Sequence, residues 1–228
     1  MAGPDAVSGC HPHWKPMLII TIKQGKDKSL LAGEPWIYAS AIDKVDGKPN
    51  EKMKAGATAI VQSSSTKFLA RAAYNSKSQI RARVWTFDEA EPVDHALIKR
   101  RVKAALASSA AAAKKARPEQ LVKLVNAEAD GLPGLLVEGY GGKGGYLVCE
   151  FQAAGVDAWK VAIVQALIAE TGCPNVYERA DELVRKGEGL AVVNGALAGD
   201  EPPDEVVLAE NGMRLGLDLK TGERWPLR

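Results

Sequence analysis

From Met17 to Phe87 apolar and polar positions alternate in short runs: LIITIKQG, EPWIYASAIDKV, ATAIVQSS, KFLARAAY and SQIRARVWTF. Successive side chains of an extended strand point to opposite faces, so each run predicts a half-buried β-strand. Turn-rich stretches such as DGKPNEKMKAG separate them. Several short strands at this spacing predict a small barrel or sandwich.

The period changes after Pro92. PVDHALIKRRVKAALASSAAAAKKA is rich in Ala, Leu, Lys and Arg, which favour helix. Asp94, Ile98, Val102, Ala105, Leu106 and Ser109 fall on one mostly apolar face, and Lys99, Arg100 and Lys103 point elsewhere. Pro92 suits a first turn and Pro118 blocks continuation. Beyond it an α/β pattern predicts strands at LVKLVNAE, GLLVEGY, GYLVCEFQ and NVYERA, and a helix at VDAWKVAIVQALIAET. Two apolar strands around Asn211-Gly212 predict a hairpin. The expected organisation is a disordered leader (1–16), a barrel (17–91), a linking helix (92–117), an α/β domain (118–222) and an unpatterned tail, 223–228.

Composition narrows the class. Hydrophobic content of 46% and charged content of 25% are those of a soluble globular protein. No apolar run approaches the roughly 18–20 residues that span a bilayer. Cys10, Cys149 and Cys173 show no CxxC spacing, which argues against a disulfide framework or a zinc site. A cytoplasmic protein without a metal site or a membrane partner is expected. The net charge of +2 conceals an asymmetry. Met17–Arg117 holds 19 Lys+Arg against 9 Asp+Glu, net +10; Pro118–Arg228 holds 10 against 18, net −8. The basic half is a candidate for a phosphate backbone.

Candidate chemistry follows from two segments of that half. In SQIRARVW, Gln79, Arg81, Arg83 and Trp85 share one strand face, and Ile80, Ala82 and Val84 the other. Two guanidiniums beside an indole can grip phosphates and stack on a base. An Arg pair neutralised by carboxylates, with Trp85 in the core, fits the pattern equally well. KQGKDKSLLAGEPWIYAS adds Lys23, Lys26 and Lys28, then Trp36 and Tyr38 on one side of an extended segment. Interleaved cations and aromatics suit RNA, although the aromatics also suit a barrel core.

Other segments lead away from cofactor chemistry. GYGGKG satisfies GxGxxG at Gly139, Gly141 and Gly144, but a strand follows where a dinucleotide site needs a helix. A hairpin turn is expected there. Cys173 lacks a neighbouring base and reads as helix-end packing. Glu178, Arg179, Asp181, Arg185, Lys186 and Glu188 form either a surface cap and loop or an ion network.

GKDKSLLAGEPWIYASAI, FLARAAYNSKSQIRARVWTFD, NAEADGLPGLLVEGYG, VYERADELVRKGEGL and ENGMRLGLDLKTG follow in order. The series resembles bacterial large-subunit rRNA cytosine-5-methyltransferases with an N-terminal PUA domain, over about residues 19–222. The resemblance implies a PUA barrel that binds RNA (19–87) and a small middle domain (119–219). In the family a Rossmann-like domain follows, binding S-adenosylmethionine and supplying a catalytic cysteine. After Lys220-Thr221-Gly222 the sequence departs from that continuation with ERWPLR, and Cys173-Pro174 reverses the family's Pro-Cys. Ala72 and Ala180 are smaller departures.

The fold class so expected is α+β. It comprises a PUA-like β-barrel, a linking helix and a small α/β middle domain ending in a β-hairpin, with the Rossmann-like methyltransferase domain absent. The chain is expected to be truncated before that domain, with no catalytic and no cofactor-binding residues of its own. S-adenosylmethionine is implied only for full-length family members. Lys26, Lys28, Arg81 and Arg83, aided by Trp36 and Tyr38, are expected to bind large-subunit rRNA without transferring a methyl group. The alternative is a stand-alone RNA-binding or adaptor protein.

Overall fold

The computed structural model describes residues 18–227, so the expected leader lies outside the described residues. The first sheet has six strands: β1 (Leu18–Ile22), β2 (Trp36–Tyr38), β3 (Ile42–Asp46), β4 (Ala57–Gln62), β5 (Phe68–Tyr74) and β6 (Ile80–Thr86). Short helices α1 (Lys28–Leu31) and α2 (Pro49–Met53) interrupt it. The order is β2-β6-β5-β4-β1-β3, and only β1 and β4 run parallel. Leu18, Ile20, Ile22, Val61, Ala70, Ala82 and Val84 form its core. Ile37 from one edge strand and Ile42 and Val45 from the other pack on this same cluster, so the sheet wraps around it. Register shifts in β2, β4 and β5 supply bends that such wrapping needs.

Helix α3 (His95–Lys115) is anchored at its start, where the Asp94 carboxylate accepts from the Leu97 N–H at 2.9 Å. Its buried residues Leu97, Ile98, Val102 and Ala105 realise the predicted apolar face. The second sheet contains β7 (Leu121–Asn126), β8 (Leu135–Tyr140), β9 (Tyr146–Phe151), β10 (Val176–Glu178) and β11 (Gly195–Ala198), in the order β11-β10-β9-β8-β7. Helices α4 (Ala154–Ala158) and α5 (Lys160–Thr171) make the crossover between β9 and β10, the one parallel pair in this sheet. Helix α6 (Glu182–Gly187) follows.

The end of the described chain corrects the expected fold class. The hairpin predicted around Asn211-Gly212 forms from β12 (Val206–Glu210) and β13 (Met213–Leu217), but in place of an unpatterned tail β14 (Arg224–Pro226) adds a third strand to that sheet. Gly216 pairs with Trp225, and a Cβ on Gly216 would stand 2.2 Å from the indole Nε1. The bare glycine backbone gives the ring its seat, and Nε1 donates to Glu205 at 2.9 Å. A single aromatic thus holds a strand too short to show a period. The α/β expectation is corrected as well: the second domain is sheet-rich and mostly antiparallel.

The two large sheets are docked. Ala73 and Trp85 of the first join the core made by α3, α5 and β7–β9. Gly155 in α4 permits the contact, since a Cβ there would lie 2.7 Å from the Ala73 Cβ.

Candidate nucleic-acid interface

Strands β2 and β6 place Trp36 opposite Arg83 and Tyr38 opposite Ile80. Ile37 points into the barrel core, so its neighbours point outward: Trp36 is 39% and Tyr38 48% exposed. The Arg83 guanidinium lies 5.9 Å from the Trp36 ring centroid, a cation–π contact. Two carboxylates from the second domain complete the cluster. Glu128 accepts from Trp36 Nε1 at 2.9 Å and from Arg83 Nη1 at 3.0 Å. Glu188, buried, accepts from Arg83 Nη2 at 3.1 Å and from Ser78 Oγ at 2.8 Å. Asn75 Nδ2 adds bonds to the Glu188 carbonyl at 2.8 Å and to its carboxylate at 3.1 Å.

The strand face predicted to carry Gln79, Arg81, Arg83 and Trp85 is therefore divided along its length. Gln79 is exposed, and Arg81, half-buried, donates to the Ser76 carbonyl. Arg83 holds the two domains together through Glu128 and Glu188. Trp85, 3% exposed, is part of the interdomain core. Lys26 and Lys28 are exposed at the opposite end of the α1 segment from Trp36. Lys23 reaches the Ser40 carbonyl at 3.1 Å, just beyond Tyr38, and Ala39 N–H donates to the Gln79 carbonyl. Lys23, Tyr38 and Gln79 thus meet at one end of the barrel. The sequence marks the charge-dense segment that holds Glu188, but not the pairing of Glu128 and Glu188 with this face, because they lie 92 residues from Trp36 and 105 from Arg83. A cleft of about 680 Å³ adjoins the cluster, running between Gly33 and Pro35 on one side and Arg101, Glu128 and Gly131 on the other.

The charged segment around α6 is part surface cap, with Asp181 accepting from the Val184 N–H at 3.0 Å and Lys186 pairing with Glu182 in solvent, and part ion network. Glu178, 1% exposed, receives Lys160 Nζ at 2.8 Å on both oxygens, with Arg185 Nη1 at 3.5 Å. Arg185 also pairs with Asp157 at 3.0 Å and donates to the Phe151 and Ala191 carbonyls. Burial opposes the charge of Arg179, but Glu150 and then Glu138 outweigh it and hold that guanidinium firmly protonated. Burial pushes both described thiols, Cys149 and Cys173, upward, so neither is an activated nucleophile.

Residues 20–87 match the family model described as a PUA-like domain. The chain is 39% identical over 207 residues to "Ribosomal RNA large subunit methyltransferase I" of Aliivibrio fischeri, an alignment covering 90% of this chain and 50% of that protein. The protein of the same name from Pseudoalteromonas translucida is 39% identical over 205 residues, with the same coverage. The chain spans about half the length of the curated relatives it matches. Two solved structures share its fold at a TM-score of 0.71. One, from Streptococcus mutans, is assigned as a SAM-dependent methyltransferase; it is 14% identical, and the match covers 91% of this chain and 50% of that one. The other, assigned as a methyltransferase and solved with SAH, is 16% identical, with 92% and 50% covered.

These neighbours complete the correction of the fold class. The expected fold class, with the Rossmann-like methyltransferase domain absent, is corrected to the fold that these structures, assigned as methyltransferases, share along nearly the whole of this chain. The PUA-like domain is followed by a sheet-rich domain that these neighbours also carry.

The glycine-rich segment Gly139–Gly144 links two antiparallel strands, β8 and β9, through one 3-10 turn (Gly142–Gly144), with Tyr140 paired to Tyr146, so a strand and not an α-helix follows it. Among the described residues no group of three or more His, Cys, Asp or Glu could hold a metal ion, and no helix is long and apolar enough to cross a membrane.

Proposed function

We propose that this chain is the RNA-binding portion of a large-subunit rRNA (cytosine-5) methyltransferase and binds rRNA in the cytoplasm. The observation that carries this reading is the coincidence of the PUA-like match at 20–87 with an exposed set of cations and aromatics on that same unit. Lys26, Lys28 and Arg81 supply charge for the backbone, and Tyr38 offers a ring for base stacking. Trp36 adds a second exposed ring whose edge is fixed by Glu128. Arg83 serves this face by holding Trp36 and the second domain in place rather than by meeting phosphate as a free cation. Methyl transfer and S-adenosylmethionine binding are not assigned to these residues.

The test is binding of the full chain to fluorescent large-subunit rRNA fragments across a salt series. The triple variant Lys26→Gln, Lys28→Gln, Arg81→Gln should weaken binding at least tenfold and make its salt dependence shallower by about 2 in log–log slope. Tyr38→Ala should weaken it with the slope unchanged. Equal affinity of wild type and triple variant would show that this face is not the one that meets RNA.

A further inference from the structure

The basic character of the front half does not reside on the barrel alone. From Lys99 to Arg117 the chain carries seven Lys or Arg residues, and between His95 and Pro118 it has no Asp or Glu. Arg101 faces inward, donating to the Gly131 carbonyl and pairing with Glu91; Arg100 also pairs with Glu91. Lys99, Lys103, Lys114 and Lys115 are exposed, and among the described residues no carboxylate lies within ion-pair distance of them. At about 3.6 residues per turn, Lys99, Lys103 and Lys114 stand within about 60° of one another around α3. Ala104, Ala107 and Ala111 occupy the same outward side.

Helix stability does not ask for this pattern. The macrodipole favours acids in the first turns and cations in the last. Lys114 and Lys115 obey that rule, whereas Lys99, Arg100 and Lys103 stand beyond the first turn and gain nothing from the dipole, and Lys99 and Lys103 repel each other across one turn. The face is also wrong for a bilayer, which an amphipathic helix enters with large apolar side chains. Here the large ones, Leu97, Ile98 and Val102, are buried. A row of mobile cations on a smooth alanine surface complements a polyanion whose charges are regularly spaced. The cleft beside Trp36 is walled by the Gly33–Pro35 segment and by Arg101, which lies on the other side of α3 from the lysine row, so the row is a surface of its own, outside that cleft.

We propose that α3 is a second RNA-contacting surface, which leads the phosphate backbone away from the barrel over about 24 Å, from Lys99 to Lys115. The inference rests on the RNA-binding reading above. It assigns to the helix a contact that depends on charge and not on sequence.

The full chain with Lys99→Gln, Lys103→Gln, Lys114→Gln and Lys115→Gln tests it. Glutamine keeps the helix propensity and removes the charge. The expected result is binding to rRNA fragments weakened at least tenfold near physiological salt, with the log–log salt slope shallower by about 3 and an unchanged circular dichroism spectrum. The smaller variant Lys99→Gln, Lys103→Gln should give about half the slope change and guards against misfolding of the larger one. If both helix variants bind as wild type does while the barrel triple variant is weakened, the helix proposal is overturned and the barrel reading stands. If the wild type does not bind RNA, both fall. If the helix variants lose affinity for anionic vesicles but not for RNA, the surface belongs to a membrane and the proposal is wrong.

Discussion

Replacing Arg83 by Met tests whether the two domains are clamped by charge. Met keeps most of the aliphatic stem of Arg83, whose side chain is 16% exposed, and removes the guanidinium. Glu188, with a side chain 8% exposed, then keeps its bonds from Ser78 and Asn75 but loses its cation. Breaking a buried pair by removing one partner costs about 3–5 kcal/mol, because the remaining charge is stranded. The cluster is only partly dry, since the Glu128 side chain is 24% exposed. We therefore expect about 2–3 kcal/mol of lost stability, scaled down from that range. Urea unfolding followed by circular dichroism measures it. Adding Glu188→Gln removes the stranded charge and leaves an amide that can still meet Ser78 and Asn75, so the double variant should recover about 1 kcal/mol or more. Trp36 supplies an independent readout: with Arg83 gone from its ring face, its fluorescence should change while the barrel stays folded. A loss below about 0.5 kcal/mol, in the range of an exposed ion pair, would refute the clamp. So would strict additivity of the two substitutions.

Two further predictions concern the helix and the domain contact. Glu91 is held below its ordinary value of 4.5 by the Thr86 side chain, against the opposing pull of burial, with Arg100 and Arg101 adding to the effect. A carboxylate depressed in the folded state stabilises it above the unfolded pKa, and that contribution is lost as pH falls through the folded value. Glu91→Gln should therefore be less stable than wild type at neutral pH, with the gap closing below 4.5; a gap constant with pH would show that the charge is irrelevant. Gly155→Ala would place a methyl 2.7 Å from Ala73 and 3.2 Å from the Trp85 ring. It should cost about 1–3 kcal/mol by overpacking, and an unchanged melting temperature would mean that the two domains separate at little cost.

What the sequence discloses depends on the range of the interaction. Strand alternation and the apolar face of α3 are local and periodic, and the core formed by Ile20, Ile37, Val61, Ala82 and Val84 follows from them. The third strand of the last sheet was hidden because three residues, Arg224–Pro226, cannot display a period; one tryptophan seated on Gly216 does the work a pattern would signal. The candidate site was half legible for the same reason. Alternation correctly aims Trp36, Tyr38, Arg81 and Arg83 outward from the barrel core, but outward from one sheet is not the same as into solvent. For Arg83 the outward direction meets Glu128 and Glu188, and for Trp85 it meets the interdomain core. A strand face that carries both cations and a large aromatic can serve a ligand at one end and a neighbouring domain at the other. The division falls between Arg81 and Arg83, and that boundary is set by contacts about a hundred residues away along the chain. Charge counted by segment survives this folding better than charge read residue by residue. Pairing with the acidic half consumes Arg83 but leaves Lys26, Lys28 and the cations of α3 exposed, so the surplus predicted for the basic half persists on its surface.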